Sequence, residues 1–170
     1  RILEAYKVPP TGVSLRTMAE SILSLDEVLD CNLIKHTSNY VYVYVKTKSE
    51  TLTDALKSAI RNKLGISQMV HMNVVVNTAQ CREYDVTVNV TTAGEDSEEI
   101  RQKAEAAIRE YTDAVKIGES VYLNQLFHLV SYSVPVLSCE IRCSKAANGV
   151  IVGTEDSYLK LRSLTVICDE

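Results

Sequence analysis

Four carboxylates crowd one short stretch, Glu95, Asp96, Glu98 and Glu99, at the start of a helical pattern. Two carboxylates held close together can divide general-acid and general-base work. A helix N-terminus also favours negative charge, because its unpaired N–H groups carry partial positive charge. That second reading explains the cluster more cheaply. The three histidines, His36, His71 and His128, each stand alone, with no second ligand at the spacing a shared metal needs. His128, between Phe127 and Leu129, reads as an ordinary half-buried side chain. Five cysteines, at positions 31, 81, 139, 143 and 168, cannot all pair within one chain, and none forms a C-x-x-C motif. On a strand, Cys139 and Cys143 share a face but sit roughly 13 Å apart, too far for one disulfide or one zinc. Reduced thiols are expected, with Cys31 and Cys139 in the core. Neither a G-x-G-x-x-G, nor a phosphate loop, nor a G-x-S-x-G is found. The expectation is no catalytic residue, no cofactor site, no metal site and no enzymatic activity.

A row of tyrosines is the sharper signal. Tyr40, Tyr42 and Tyr44 alternate with valines, which places all three on one face of a strand. Such a row could stack the bases of a single-stranded nucleic acid. It could equally pack across strands or be covered by another protein. Only Lys46 and Lys48 add positive charge nearby, and the whole chain carries −4. Aromatics without a positive groove lack the electrostatic part of nucleic-acid affinity. The row is therefore a candidate protein-interaction surface.

Composition agrees. Apolar residues make up 46% and charged residues 24% of the 170 positions, an ordinary globular balance that excludes a disordered or low-complexity chain. No apolar run reaches the ~18–20 residues of a membrane span. No cationic start followed by an apolar stretch marks a signal peptide. The first residues, Arg1 to Tyr6, resemble the end of a helix stopped by Pro9-Pro10. Residues 1–170 are accordingly expected to belong to a longer chain.

The elements that must position the tyrosines follow from periodicity. Leu15, Met18, Ala19 and Ile22 mark one face of a helix with Ser14 as its N-cap. Leu29, Cys31 and Leu33 mark a strand, and Thr37-Ser38-Asn39 a turn. After the tyrosine strand, Leu52, Leu56 and Ile60 run as a helix to Gly65, and Met72 to Val76 closes the first half. The second half opens on Tyr84, Val86, Val88 and Val90. A helix follows, capped by Asp96 and Glu99, burying Ile100, Ala104, Ala107, Ile108 and Tyr111. Next come a short helix with Leu123, Leu126, Phe127 and Val130, and a strand with Leu137, Cys139, Ile141 and Cys143 on one face. Asn148-Gly149 is a turn signal. The last strand changes phase between Leu161 and Leu164, which predicts a bulge near Arg162-Ser163.

Part of this pattern repeats. Leu15, Met18, Ala19 and Ile22 correspond to Leu123, Leu126, Phe127 and Val130 at an offset of 108, and Val28-Leu29-Asp30-Cys31 to Val136-Leu137-Ser138-Cys139 at the same offset. One helix–strand unit is used twice. The fold class is therefore α+β: two small sheet-plus-helix subdomains, αββαβ over 1–80 and βααββ over 81–170.

The segments Glu83 to Val90, Glu98 to Tyr111, Ile117-Gly118-Glu119-Ser120-Val121-Tyr122-Leu123 and Val134-Pro135-Val136 resemble, in that order, the C-terminal region of the baseplate J-like family. That family comprises wedge subunits of contractile phage tails and related injection systems. Its members carry a Val-Pro-Gly-Val-like turn where this chain has Val134-Pro135-Val136. Thr11 to Leu15 leading into a helix fits the same pattern in the first half. The resemblance implies a structural, assembly-mediating subunit with other baseplate and tail subunits as partners, located in the virion tail baseplate and assembled in the bacterial host cytoplasm. It offers no catalytic residue to carry over. No membrane partner is expected from the lengths of the apolar runs, and the negative charge disfavours nucleic acid as a partner. The isolated chain is expected to be a monomer or weak oligomer. The competing reading from the residues is a ferredoxin-like α+β module binding a small ligand or single-stranded nucleic acid.

Overall fold

The computed structural model describes residues 14–37, 40–64, 73–92 and 97–169. The expected helix end before Pro9-Pro10, and Gly12, Ser38, Asn39, Gly65, His71, Met72, Glu95 and Asp96, lie outside those residues. The chain divides into two compact units, Arg1–Ala79 and Gln80–Glu170. Both mix helices with small sheets, the α+β class.

In the first unit, helix α1 (Leu15–Leu23) begins where the Ser14 side chain accepts the Thr17 N–H at 3.2 Å. Its buried residues are Met18 and Ile22. Strands β1 (Val28–Thr37) and β2 (Tyr40–Thr47) pair antiparallel. Helix α2 (Asp54–Lys63) is capped by Thr53, with Asp54 in its first turn and Arg61 and Lys63 in its last, charges that match the helix dipole. It crosses over to β3 (Asn73–Thr78), which lies parallel to β2. The sheet order is β1-β2-β3, with β2 central. Val41, Val43 and Val45 of β2 are buried with Met18, Ile22, Leu56 and Ile60 from the two helices.

The second unit is built around β4 (Gln80–Thr91), flanked by β6 (Ser138–Arg142) antiparallel and β8 (Ser157–Asp169) parallel. Helices α3 (Ser97–Ala114) and α4 (Leu123–Ser133) supply Ile100, Ala104, Ile108, Leu126 and Val130 to a core with Tyr84, Val86, Val88 and Val90. Two short strands, β5 (Val121–Tyr122) and β7 (Val150–Ile151), pair separately. Asn148 and Gly149 both have positive φ, and Ala147 and Val150 exchange N–H···O bonds of 2.9 and 3.0 Å across them. This is the two-residue hairpin that Asn-Gly favours. In β8, Leu161 faces Tyr84 and Ser163 faces Asp85, so Arg162 is the extra residue of the bulge expected there.

Several expected core positions are not in the core. Leu29 is 52% exposed, because the register of β1 shifts between Val28 and Asp30 and squeezes it out of the ladder. Its counterpart Leu137 is 71% exposed, one residue ahead of β6. In α3 the buried row is completed by Thr112, while Ala107 and Tyr111 are half-buried. Phe127 and His128 are exposed on α4, and Leu15 is exposed at the start of α1.

Candidate functional site

The sheet of the first unit has two unlike faces. The pleat sends Val41, Val43 and Val45 to the helix side and Tyr40, Tyr42, Tyr44 and Lys46 to the other. Pairing then decides the tyrosines' neighbours. In β1, Ile34 lies opposite Tyr42 and Asn32 opposite Tyr44. In β3, Asn73, Val75 and Asn77 lie opposite Tyr40, Tyr42 and Tyr44. Tyr40 is 43% exposed, and Tyr42 and Tyr44 are half-buried. The Tyr42 and Tyr44 rings stack with centroids 6.5 Å apart and planes 19° from parallel. That spacing is about twice the rise of a strand residue, so the backbone itself sets it. His36 meets Tyr42 edge-on at 5.5 Å. Among the described residues, α1 and α2 both pack on the valine face, and neither covers the tyrosine face.

The expected tyrosine row is thus brought together on one surface. Ile34, Asn32, His36 and Val75 join it and were not legible as partners, because strand pairing between distant segments placed them there. Alternation within β1 could have shown that Asn32, Ile34 and His36 share a face, but not that this face was the tyrosines'.

The remaining chemistry-bearing residues are dispersed. On α3, Glu98 holds Arg101 and Gln102, and hydrogen bonds from these two keep its carboxyl below the usual range. Glu99 pairs with Lys103 at 2.6 Å. Both are helix-surface ion pairs. His128 contacts Phe127 edge-on at 5.7 Å. Among the described residues, no group of three or more His, Cys, Asp or Glu side chains is arranged to hold a metal ion. Cys31 lies 3.7 Å from the Ala19 carbonyl, and burial, reinforced by Asp30, pushes its thiol up to about 12. Cys31 and Cys139 are both half-buried against the core of their unit.

The outer face of the other sheet has a different chemistry. Asp85 takes a bidentate pair from Arg162 and a 2.6 Å bond from Ser163 Oγ. These donors, Arg162 first, hold its carboxyl below the ordinary value. Glu140 pairs with Arg142 at 2.8 Å, and Ser138 bonds Thr91 at 2.9 Å.

No family model matches the chain, and no curated protein matches it in sequence. Among solved structures it is similar to a chain of the anti-feeding prophage (AFP) baseplate, determined by cryo-EM with 6-fold symmetrisation. The TM-score is 0.59 at 13% sequence identity, over 94% of this chain. The match spans 41% of that chain's length. At this identity the likeness is one of fold.

Proposed function

We propose that this chain is a structural subunit of a phage or phage-like tail baseplate, acting by protein–protein contact and not as an enzyme. The observation that carries the reading is the fold likeness over 94% of the chain to a chain of the AFP baseplate. The finer assignment, a wedge-type subunit of the baseplate J-like family, rests on the ordered motifs from Glu83 to Val136. Its partners are then other baseplate and tail subunits, met during assembly in the host cytoplasm.

The tyrosine face is the contact surface this reading nominates. Tyr is enriched at protein interfaces because it offers a large rigid ring and a polar tip at low entropic cost. Ile34 and Val75 beside Tyr42 add apolar area, and the −4 net charge disfavours a polyanion there.

The test is localisation of an epitope-tagged chain in particles purified from its host. Gold label at the baseplate end of the tail is expected. Particles that form fully and lack the chain would overturn the proposal. A polarisation assay with single-stranded oligonucleotides separates the competing reading: micromolar binding that Tyr42→Ala abolishes would favour a nucleic-acid module.

A further inference from the structure

We propose that a cleft within the second unit is a docking site for an aliphatic, acidic peptide segment of a neighbouring protein. The cleft has a volume of about 560 Å³, inside the range of about 300–1,000 Å³ typical of ligand sites. It does not use the tyrosine face. Its apolar wall is formed by Tyr84, Val150, Ile151, Val152 and Leu159. Val152 is 56% exposed, an aliphatic contact still open to a partner.

Two cations stand at this wall. Arg82 has the strand phase of Tyr84 but is exposed, although its partner in β8, Leu159, belongs to the core. Lys145 lines the cleft and donates from Nζ to the Glu83 carbonyl oxygen, and its charge also acts on the Asp85 carboxylate. Glu83 also borders the cleft. Alternation along β4 sends its side chain to the opposite face with Asp85, where its carboxylate acts on Arg162. The cleft therefore combines an aliphatic wall with positive charge, in a chain whose net charge is −4.

Charge complementarity selects an acidic occupant, and the wall selects one with aliphatic side chains. An open cleft would bury only part of a free aliphatic acid. A peptide segment can lay one side chain on Val150 and Val152, the lining aliphatics that keep exposed surface, while acidic neighbours reach Arg82 and Lys145.

Cys81 lines the same cleft and, unlike the other four cysteines, is exposed, so it reports on occupancy. The experiment uses the full 170-residue chain and a fluorescein-labelled pentapeptide of alternating leucine and glutamate, with a lysine-for-glutamate peptide as control. Fluorescence anisotropy should show saturable binding of the glutamate peptide, and the control should bind at least about tenfold more weakly. Arg82→Glu should weaken binding about tenfold or more without lowering Tm, since Arg82 is exposed; Lys145→Glu is the second variant. Saturating peptide should slow the reaction of the Cys81 thiol with a disulfide reagent. No binding at millimolar peptide, equal binding of both peptides, or unchanged Cys81 reactivity would overturn the proposal. Displacement by hexanoate as effective as that by unlabelled peptide would also overturn it, by reassigning the cleft to small carboxylates.

Discussion

The two units solve the same packing problem and leave their outer surfaces in opposite states. In each sheet a central strand has an antiparallel neighbour on one side and a parallel neighbour on the other. In each, a helix and the strand that follows it carry the same apolar positions at an offset of 108. Burial agrees at Met18 with Leu126, Ile22 with Val130 and Cys31 with Cys139, and differs at Leu15 with Leu123, Ala19 with Phe127 and Val28 with Val136. The chain order differs. In the first unit this helix–strand pair precedes the central strand, and in the second it follows α3. The layers therefore depend on which faces must be buried rather than on the order in which the chain visits them. The outer faces diverge: the second sheet pairs its own polar groups, Asp85 with Arg162 and Glu140 with Arg142, whereas the first presents tyrosines with Ile34 and Val75. A face whose charges are already matched gains little from a partner, while an aromatic face gains by leaving water.

Core substitutions should break this comparison most severely. Val43→Asp in the first unit and Val88→Asp in the second, both fully buried, should each cost about 3–5 kcal/mol, the penalty of an unpaired buried charge. Asn89→Asp, on the outer side of the same strand, should cost less, through loss of the Asn89 hydrogen bond to Glu140 and repulsion between the two carboxylates. Calorimetry on the three variants checks it, and equal shifts for Val88→Asp and Asn89→Asp would mean that β4 is buried on both faces.

Next in size are the repeat positions. Met18→Ala and Leu126→Ala should each cost about 2–5 kcal/mol, because both side chains fill equivalent core sites. Denaturant melts that differ severalfold between them would separate the two units energetically. Gly153→Ala sharpens the contrast, since a Cβ there would lie 2.0 Å from the Glu119 carbonyl oxygen. It should destabilise by about 1–3 kcal/mol.

The outer faces give smaller effects on stability and opposite effects on association. Tyr42→Ser with Tyr44→Ser should move Tm little yet weaken binding to an assembly partner by about 2 kcal/mol or more. Light scattering should find the chain alone monomeric or weakly associated at micromolar concentration. A stable dimer would place a larger interface in these residues. Asp85→Asn should give the smallest change. Its folded carboxyl titrates below the unfolded value, so its contribution is present above about pH 4 and lost as pH falls through the folded pKa. The difference in Tm between Asp85→Asn and the parent should therefore vanish in acid.

Alternation alone placed Val41, Val43 and Val45 opposite the tyrosines, and the Ser14 cap, the Asn148-Gly149 hairpin and the Arg162 bulge were all legible from local residue types. These features depend on contacts within a few residues, where periodicity and turn chemistry dominate. Leu29 and Leu137 were misplaced, because a register shift and a strand boundary are set by the partner strand. The tyrosine row was legible as one face of a strand and as a candidate surface, but its neighbours were not. Its outward exposure, its neighbours Ile34, Asn32 and Val75, and the meeting of Arg82 with Lys145 at one cleft join segments far apart in sequence. The order of side chains on each face was determined by the sequence. Which faces met, and which were left open to water, was decided only by pairing between distant strands and by the helices that covered one side of each sheet, since burial is a property of the neighbours a residue acquires and not of the residue alone.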